Sequence, residues 1–503
     1  MHPLNFNLTV RWMKRYFRNA CILLAILTNL ELVSGGETQA LVIPDLFSNG
    51  MVIQQEKPVR IWGYGNPEQG VEVEFAGETK SALYEGNRWS LEFPSQKAKG
   101  QELSIMISSG GKLIREITNV VVGEVWLASG QSNMEMQLDM TKEGQESMQR
   151  PPDPLLRSFT VSSQLLAKDS KGGPLGTTWV SAQSDVVGGW SAVGYHFARD
   201  IRQSLKIPVA IIHCSRGGSS TETWCRDEML QRIPDYEQLF YVKQKDESRG
   251  VQLMPSYCYE RMLATVVPYS IRGVIWYQGE SNTSAWAEQQ KLFAAMVEDW
   301  RILFGDSKMP FYFVQLARYE QAVWHEFRDV QRKISQSLPY SYMAVTIDLS
   351  RECELPYPPK LAHMKYHPIH PATKEPVGER LALAAKALVY GIDREEDYSG
   401  PMIKEGLLQE GKIRLNFDFV KSGLKSMDEK PLRGFYIAGD DQKYQIAEAT
   451  IEGDHLMLSV FGDIKPRYVR YGSERDMGHK ELDVNLANQK NLPASPFTLE
   501  IKN

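Results

Sequence analysis

Apolar residues follow two rhythms along this chain. Between Leu41 and about Val120, short runs such as VRIWGYG, VEVEFAG, RWSLEF and ELSIMISS are broken by Gly, Pro and Asn. Alternation puts every second side chain on one face, and regular short strands between turn signals predict a small β-sandwich. From 121 to about 395 the runs become continuously apolar: VVVGEVWLAS, PVAIIHCS, GVIWYQG, MPFYFVQLA, YMAVTIDL. Helical stretches separate them, among them VGYHFARDIRQSL, AWAEQQKLFAAMVEDWRILFG, FRDVQRKISQSL and VGERLALAAKALVYG. Strands apolar on both sides, alternating with amphipathic helices, predict an α/β fold with a parallel sheet covered on both faces. From about 396 the β rhythm returns in KIRLNFDF, LRGFYIAG, HLMLSVFG and PRYVRYG. The expected organisation is a sandwich over 37–120, an α/β domain over 121–395 and a β-rich region over 396–503.

Residues 1–36 read differently. Arg11, Lys14, Arg15 and Arg18 precede the apolar run Ala20 to Leu27, and Ser34, Gly35 and Gly36 follow it. This is the order of a secretory signal peptide, with Met13 giving it ordinary proportions as a start. The run is too short to span a bilayer stably. Cys21 opens the run instead of following it, so it does not make a lipobox. The expectation is a secreted or periplasmic protein with no stable membrane span after processing.

Composition adds boundaries. At 503 residues the chain is too long for one core, since domains run to roughly 100–200 residues. With 42% hydrophobic and 24% charged residues, long disorder is not expected. A net charge of -5 gives no overall pull toward nucleic acid, and no basic run carries interleaved aromatics. Beyond the leader lie Cys214, Cys225, Cys258 and Cys353, too few for a disulfide scaffold. Cys214 and Cys225 are the pair that an oxidising compartment could join. The 11 Trp and 22 Tyr are generous, a hint of sugar-facing rings.

Ligand sites in open parallel sheets lie beyond the carboxyl ends of the strands, and several polar motifs fall there. In GEVWLASGQSNMEMQL a strand ends, Gly130 turns the chain and a helix begins near Asn133. Ser132 then stands at a strand-to-helix corner, its hydroxyl projecting and its N–H aimed from a helix N-terminus at a developing oxyanion. The Ser132–Glu135 spacing also reads as a capping box. In IIHCSRGGSSTETW, Gly217 and Gly218 supply either a second oxyanion N–H or a plain turn. In GVIWYQGESN, Gln278 or Asn282 offers a side-chain N–H, and Glu280 could orient a histidine or hold the loop. In HPIHPATKEPVGERLALAA, His370 precedes a helix with Val377, Leu381 and Ala384 or Ala385 on one face, a place from which it can serve Ser132 as general base. His363, His367 and His370 lack a carboxylate or thiol at ligand spacing, so neither metal nor other cofactor is expected.

Together these motifs resemble the sialate O-acetylesterase-type family of the SGNH hydrolase superfamily. GQSNM, the GG before an E-x-W, WYQGESN and HP…K…VG.RLALAA stand in that family's order and spacing. The opening PDLFSNGMVIQQEKPVRIWG and the ending NLPASPF are similar to its outer regions, so nearly all of the mature chain is covered. The resemblance implies an SGNH-hydrolase-like three-layer α/β/α domain and a Ser-His-acid site that removes acetyl groups from sugars without metal. Matched residue by residue, Ser132 is the nucleophile, Gly218 (or Gly217) and Gln278 are oxyanion donors, and His370 is the base. Two departures stand out. The family usually has an acid two or three residues before the histidine, where this chain has Pro368 and His367; Asp348, Glu280 and Glu222 are candidate substitutes, or a backbone carbonyl leaves a Ser-His dyad. Arg216 replaces a usual Trp and Arg261 a usual Gly. A cation there suits an anionic substrate, although either arginine could instead serve a local ion pair. The expected partner is a small molecule or glycan carrying acetyl esters, first O-acetylated sialic acid, second acetylated xylan. The contrasting expectation is a carbohydrate-binding scaffold with a weakened site.

Overall fold

The computed structural model describes residues 41–166, 175–236, 239, 250–319, 323–349, 369–460, 462, 464–473 and 484–502. The leader read at 1–36 lies outside the described residues, as do Cys353, His363 and His367.

At the centre is the sheet that the apolar runs predict. Its strands are β1 (Lys112–Gly130), β2 (Asp153–Thr160), β3 (Val180–Ala182), β4 (Val209–Ser215), β5 (Gly273–Tyr277), β6 (Phe311–Val314) and β7 (Ser341–Ala344). They lie in the order β3-β2-β4-β1-β5-β6-β7, parallel throughout except for the antiparallel edge strand β3. The continuous apolar text has a direct cause. Along β1, Val125 and Leu127 enter one core while Trp126 and Ala128 enter the other. Ala210 and Ile212 of β4 divide from Val209 and Ile211 in the same way. Both faces are buried, so both parities must be apolar.

Helices close the two faces. On the Trp126 side lie α2 (Ala192–Leu205) and α5 (Glu375–Leu388). On the Leu127 side lies α3 (Trp286–Phe304), with α4 (Trp324–Ser337) adding Val330 and Ile334 to that core. The Ser191 hydroxyl caps α2 by accepting from the Gly194 N–H at 3.1 Å. A Cβ on Gly378 of α5 would come within 2.7 Å of the Phe197 backbone nitrogen of α2. The missing side chain is what lets the two helices approach, and that approach sets where the loop before α5 lies.

The N-terminal β-rich region is joined to this sheet without a linker. Residues 112–120 of β1 pair antiparallel with Leu103–Ser109. Residues 121–123 pair with Val52–Gln54, and from Glu124 onward the same strand pairs with β4, then β5. The change of rhythm at 120/121 thus marks a change of partners within one strand. Fully buried Glu124 fixes the junction: Arg272 donates to its two oxygens at 2.7 and 2.8 Å, and Gln55 donates at 2.6 Å. After α5 come antiparallel sheets, one of them ordered Met402–Gln409, Lys412–Asp418, His455–Ser459, Ala449–Glu452. They dock on α4 through Arg328, which donates to the Gly472 carbonyl at 2.7 Å, and on the end of β6 through Gln315, which donates to the Ser495 hydroxyl at 3.0 Å. No helix among the described residues is long and apolar enough to cross a membrane. Cys214, Cys225 and Cys258 are buried free thiols.

Candidate active site

At the carboxyl end of β1 the chain turns through Gly130 at φ +131°, a conformation disfavoured for side chains. A Cβ there would sit 2.2 Å from the Tyr277 carbonyl oxygen, so glycine is required by contact as well. The Gln131 N–H donates to that carbonyl at 2.9 Å. The single-turn helix α1 (Ser132–Glu135) follows and makes Ser132 its first residue. Glu135 does not close a capping box. Its Oε2 accepts the Gly217 N–H at 2.6 Å, across the site, and no side chain caps α1. Burial pushes the Glu135 carboxyl up, opposed by that N–H and by the Arg216 charge.

His370 meets the serine. Its Nε2 lies 2.8 Å from Ser132 Oγ, across 238 positions of sequence. This is hydrogen-bond distance for a nucleophile and its base. The loop carrying His370 is tied at several points. The Asn133 amide donates to the Ile369 carbonyl at 2.9 Å, and the Lys142 N–H donates to the Ala372 carbonyl at 3.0 Å.

The glycine turn lies beside the serine. Arg216 donates its N–H to the Gly130 carbonyl at 3.0 Å, and a Cβ on Gly217 would be 3.7 Å from Ser132 Cβ. Because the Gly217 N–H is committed to Glu135, the donor left in this turn is that of exposed Gly218, at φ +72°. Gln278 is held differently from the expectation. Its amide donates to the Ser219 carbonyl at 3.1 Å and to Asn282 Oδ1 at 2.6 Å, while its oxygen accepts from Thr221 at 2.9 Å. One hydrogen of Gln278 therefore braces the glycine loop and the other is taken by Asn282. Asn282 in turn donates to Glu222 at 3.0 Å. Glu222 is fully buried, which raises its carboxyl to about 7.

The other carboxylates read as orienting acids have partners of their own. Asp348 receives both guanidinium arms of Arg380, at 2.8 and 2.6 Å. Glu280 accepts from the Asn133 amide, with burial pushing its carboxyl up against the pull of that bond and of Lys374. Arg216 is half-buried at the glycine turn, while Arg261 lies over the Tyr257 ring, 5.5 Å from its centroid. Sequence reasoning gave no role to Asn133 or Lys374, although GQSNM and the K of HP…K contain them. Among the described residues no group of three His, Cys, Asp or Glu side chains could hold a metal ion.

A central parallel sheet under two helical layers, with a serine at the carboxyl edge of its middle strand facing a histidine from the loop before α5, defines the SGNH-hydrolase-like α/β/α class. Residues 122–357 match the family described as carbohydrate esterase, sialic acid-specific acetylesterase. The chain is 31% identical to a carbohydrate acetylesterase from Xanthomonas citri, with TM-score 0.77, covering 91% of this chain and 99% of that one. It is 27% identical to human sialate O-acetylesterase over 413 residues, 74% of this chain and 75% of that protein. The mouse sialate O-acetylesterase is 26% identical over 74% of this chain and 77% of its own length. This chain belongs to the sialate O-acetylesterase-type family of carbohydrate esterases.

Proposed function

We propose that the protein is a serine O-acetylesterase in which Ser132 attacks the acetyl carbonyl and His370 takes its proton. The observation that carries this reading is the 2.8 Å contact between Ser132 Oγ and His370 Nε2 at the carboxyl edge of the sheet. As Oγ bonds to the acetyl carbon, the proton passes to Nε2 and the carbonyl oxygen gains a negative charge. The N–H groups of Ser132 and Gly218 receive that oxyanion, and Gln278 holds the Gly218 turn in place. Collapse expels the sugar alkoxide, which takes the proton from His370 and leaves acetyl-Ser132. Water then repeats the sequence and releases acetate.

The substrate we favour is O-acetylated sialic acid. The matched family's description and the names of the mammalian relatives support it. So does Arg216, a half-buried guanidinium at the glycine turn suited to a carboxylate. The Xanthomonas acetylesterase is named for carbohydrate in general, so acetylated plant polysaccharide stays as the second reading. The basic-then-apolar segment Arg11 to Gly36 supports a secreted or periplasmic location.

The test is acetate release by purified protein from O-acetylated sialic acid, acetylated xylan and p-nitrophenyl acetate, with Ser132→Ala in parallel. Ser132→Ala is expected to lose about 10⁴-fold or more in kcat with an unchanged circular dichroism spectrum. A folded Ser132→Ala protein that turns over like wild type overturns the assignment. Faster release from xylan than from sialic acid overturns the substrate.

A further inference from the structure

Resting on that catalytic reading, we infer that Asn133 is a positioning residue that sets the Ser132–His370 distance, with Lys374 and Glu280 fixing the orientation of its amide. Asn133 follows the serine and Ile369 precedes the histidine. One hydrogen bond of 2.9 Å, from the Asn133 amide to the Ile369 carbonyl, therefore ties together the neighbours of the two reacting residues.

An asparagine side chain alone does not fix this bond, because its oxygen and nitrogen are nearly the same size and exchange places by a half-turn. Its partners decide the orientation. Lys374 Nζ, which can only donate, lies 2.6 Å from Asn133 Oδ1. The Ile369 carbonyl and a Glu280 carboxylate oxygen, which can only accept when Glu280 is ionised, face the Asn133 nitrogen. All three partners demand the same orientation. Asn133 is 1% exposed and Lys374 fully buried, so water does not offer replacements. The Lys374 ammonium also lies 5.3 Å from the centre of the Tyr277 ring, at the end of β5. The opposite charges of Lys374 and Glu280 thus sit on either side of one neutral amide. That arrangement gives a lysine and a glutamate a part in a site whose chemistry uses neither.

The position of the histidine relative to the serine governs the rate steeply, since a misplacement of about 1 Å can cost ~10²-fold. The experiment measures kcat, KM and the pH profile on p-nitrophenyl acetate, the rate of Ser132 phosphonylation by a small fluorophosphonate, and the melting temperature. Asn133→Ala removes the bond; Asn133→Asp keeps size and the Lys374 contact while removing both N–H donors. Each is expected to lower kcat and the phosphonylation rate together, by about 10²-fold, with KM little changed. Lys374→Met, which removes the contact on Asn133 Oδ1 and leaves the amide held by two partners instead of three, is expected to move both rates the same way by a smaller factor. A folded Asn133→Asp protein with wild-type kcat and pH profile overturns the inference, as does a loss of melting temperature alone. If neither Asn133 variant folds, Lys374→Met decides, and an unchanged kcat overturns the inference. Ser132→Ala run alongside separates the two failures: full activity there sinks the catalytic reading, whereas its inactivity beside a normal Asn133→Asp sinks only the positioning role.

Discussion

His213 Nε2 lies 2.5 Å from Ser215 Oγ, a second serine–histidine contact, on the strand next to the one that leads into Ser132. Contact alone therefore does not make a nucleophile. His213 is 7% exposed and Ser215 4%, and burial drives the His213 imidazole down to about 4. So weak a base is mismatched to proton abstraction at neutral pH, and substrate does not reach it. A fluorophosphonate is expected to label the peptide containing Ser132 and leave that containing Ser215 unmodified, as read by mass spectrometry. Ser215→Ala should keep kcat within about three-fold of wild type; label on Ser215 would reverse the two assignments.

Gly218 offers the sharpest probe of the oxyanion site. At φ +72° an alanine is strained by roughly 1–2 kcal/mol and relaxes by turning its N–H. Gly218→Ala is expected to lower kcat by about 10²–10³-fold with little change in KM, because the bond forms mainly in the transition state. Steady-state kinetics on a soluble acetyl ester check this, and a KM effect with intact kcat would remove Gly218 from the hole.

Glu222 gives stability a pH dependence with a definite sign. Its folded value near 7 stands above the ordinary 4.5, so between these values the folded protein holds a proton that the unfolded chain has lost. The penalty is absent below about pH 4.5, grows through the window and is constant above about 7, reaching on the order of 3 kcal/mol. Glu222→Gln mimics the neutral acid. Its melting temperature should exceed that of wild type by a margin that widens from pH 5 to 7 and then levels. A margin independent of pH would show that Glu222 does not titrate in this range.

The sheet and its helical layers were legible because burial on both faces forces apolar residues at both parities, as Val125 and Trp126 show from opposite cores. The meeting of Ser132 and His370 was legible because one motif follows a strand end and the other precedes a core helix. Partners were not. Asp348 ends an apolar run as a candidate acid should, yet nothing in the text says that Arg380 on α5 will grip both its oxygens. Glu135 has capping-box spacing, but its carboxylate finds the Gly217 N–H 82 positions away. Asn133 and Lys374, 241 positions apart, gain meaning only when the folded chain brings an amide between an ammonium and a carboxylate. Local spacing carries periodicity and turns, whereas hydrogen-bond partners at long range follow from packing.

The single strand Lys112–Gly130 has a mechanical consequence. Two bodies joined by a flexible tether can rotate independently, but here the joint is itself a hydrogen-bonded ladder, and bending it would shear the pairing of residues 121–123 with Val52–Gln54. The N-terminal β-rich region is therefore not a detachable cartridge. Exchanging it for another β module would require splicing inside a strand whose far end leads into the reactive corner.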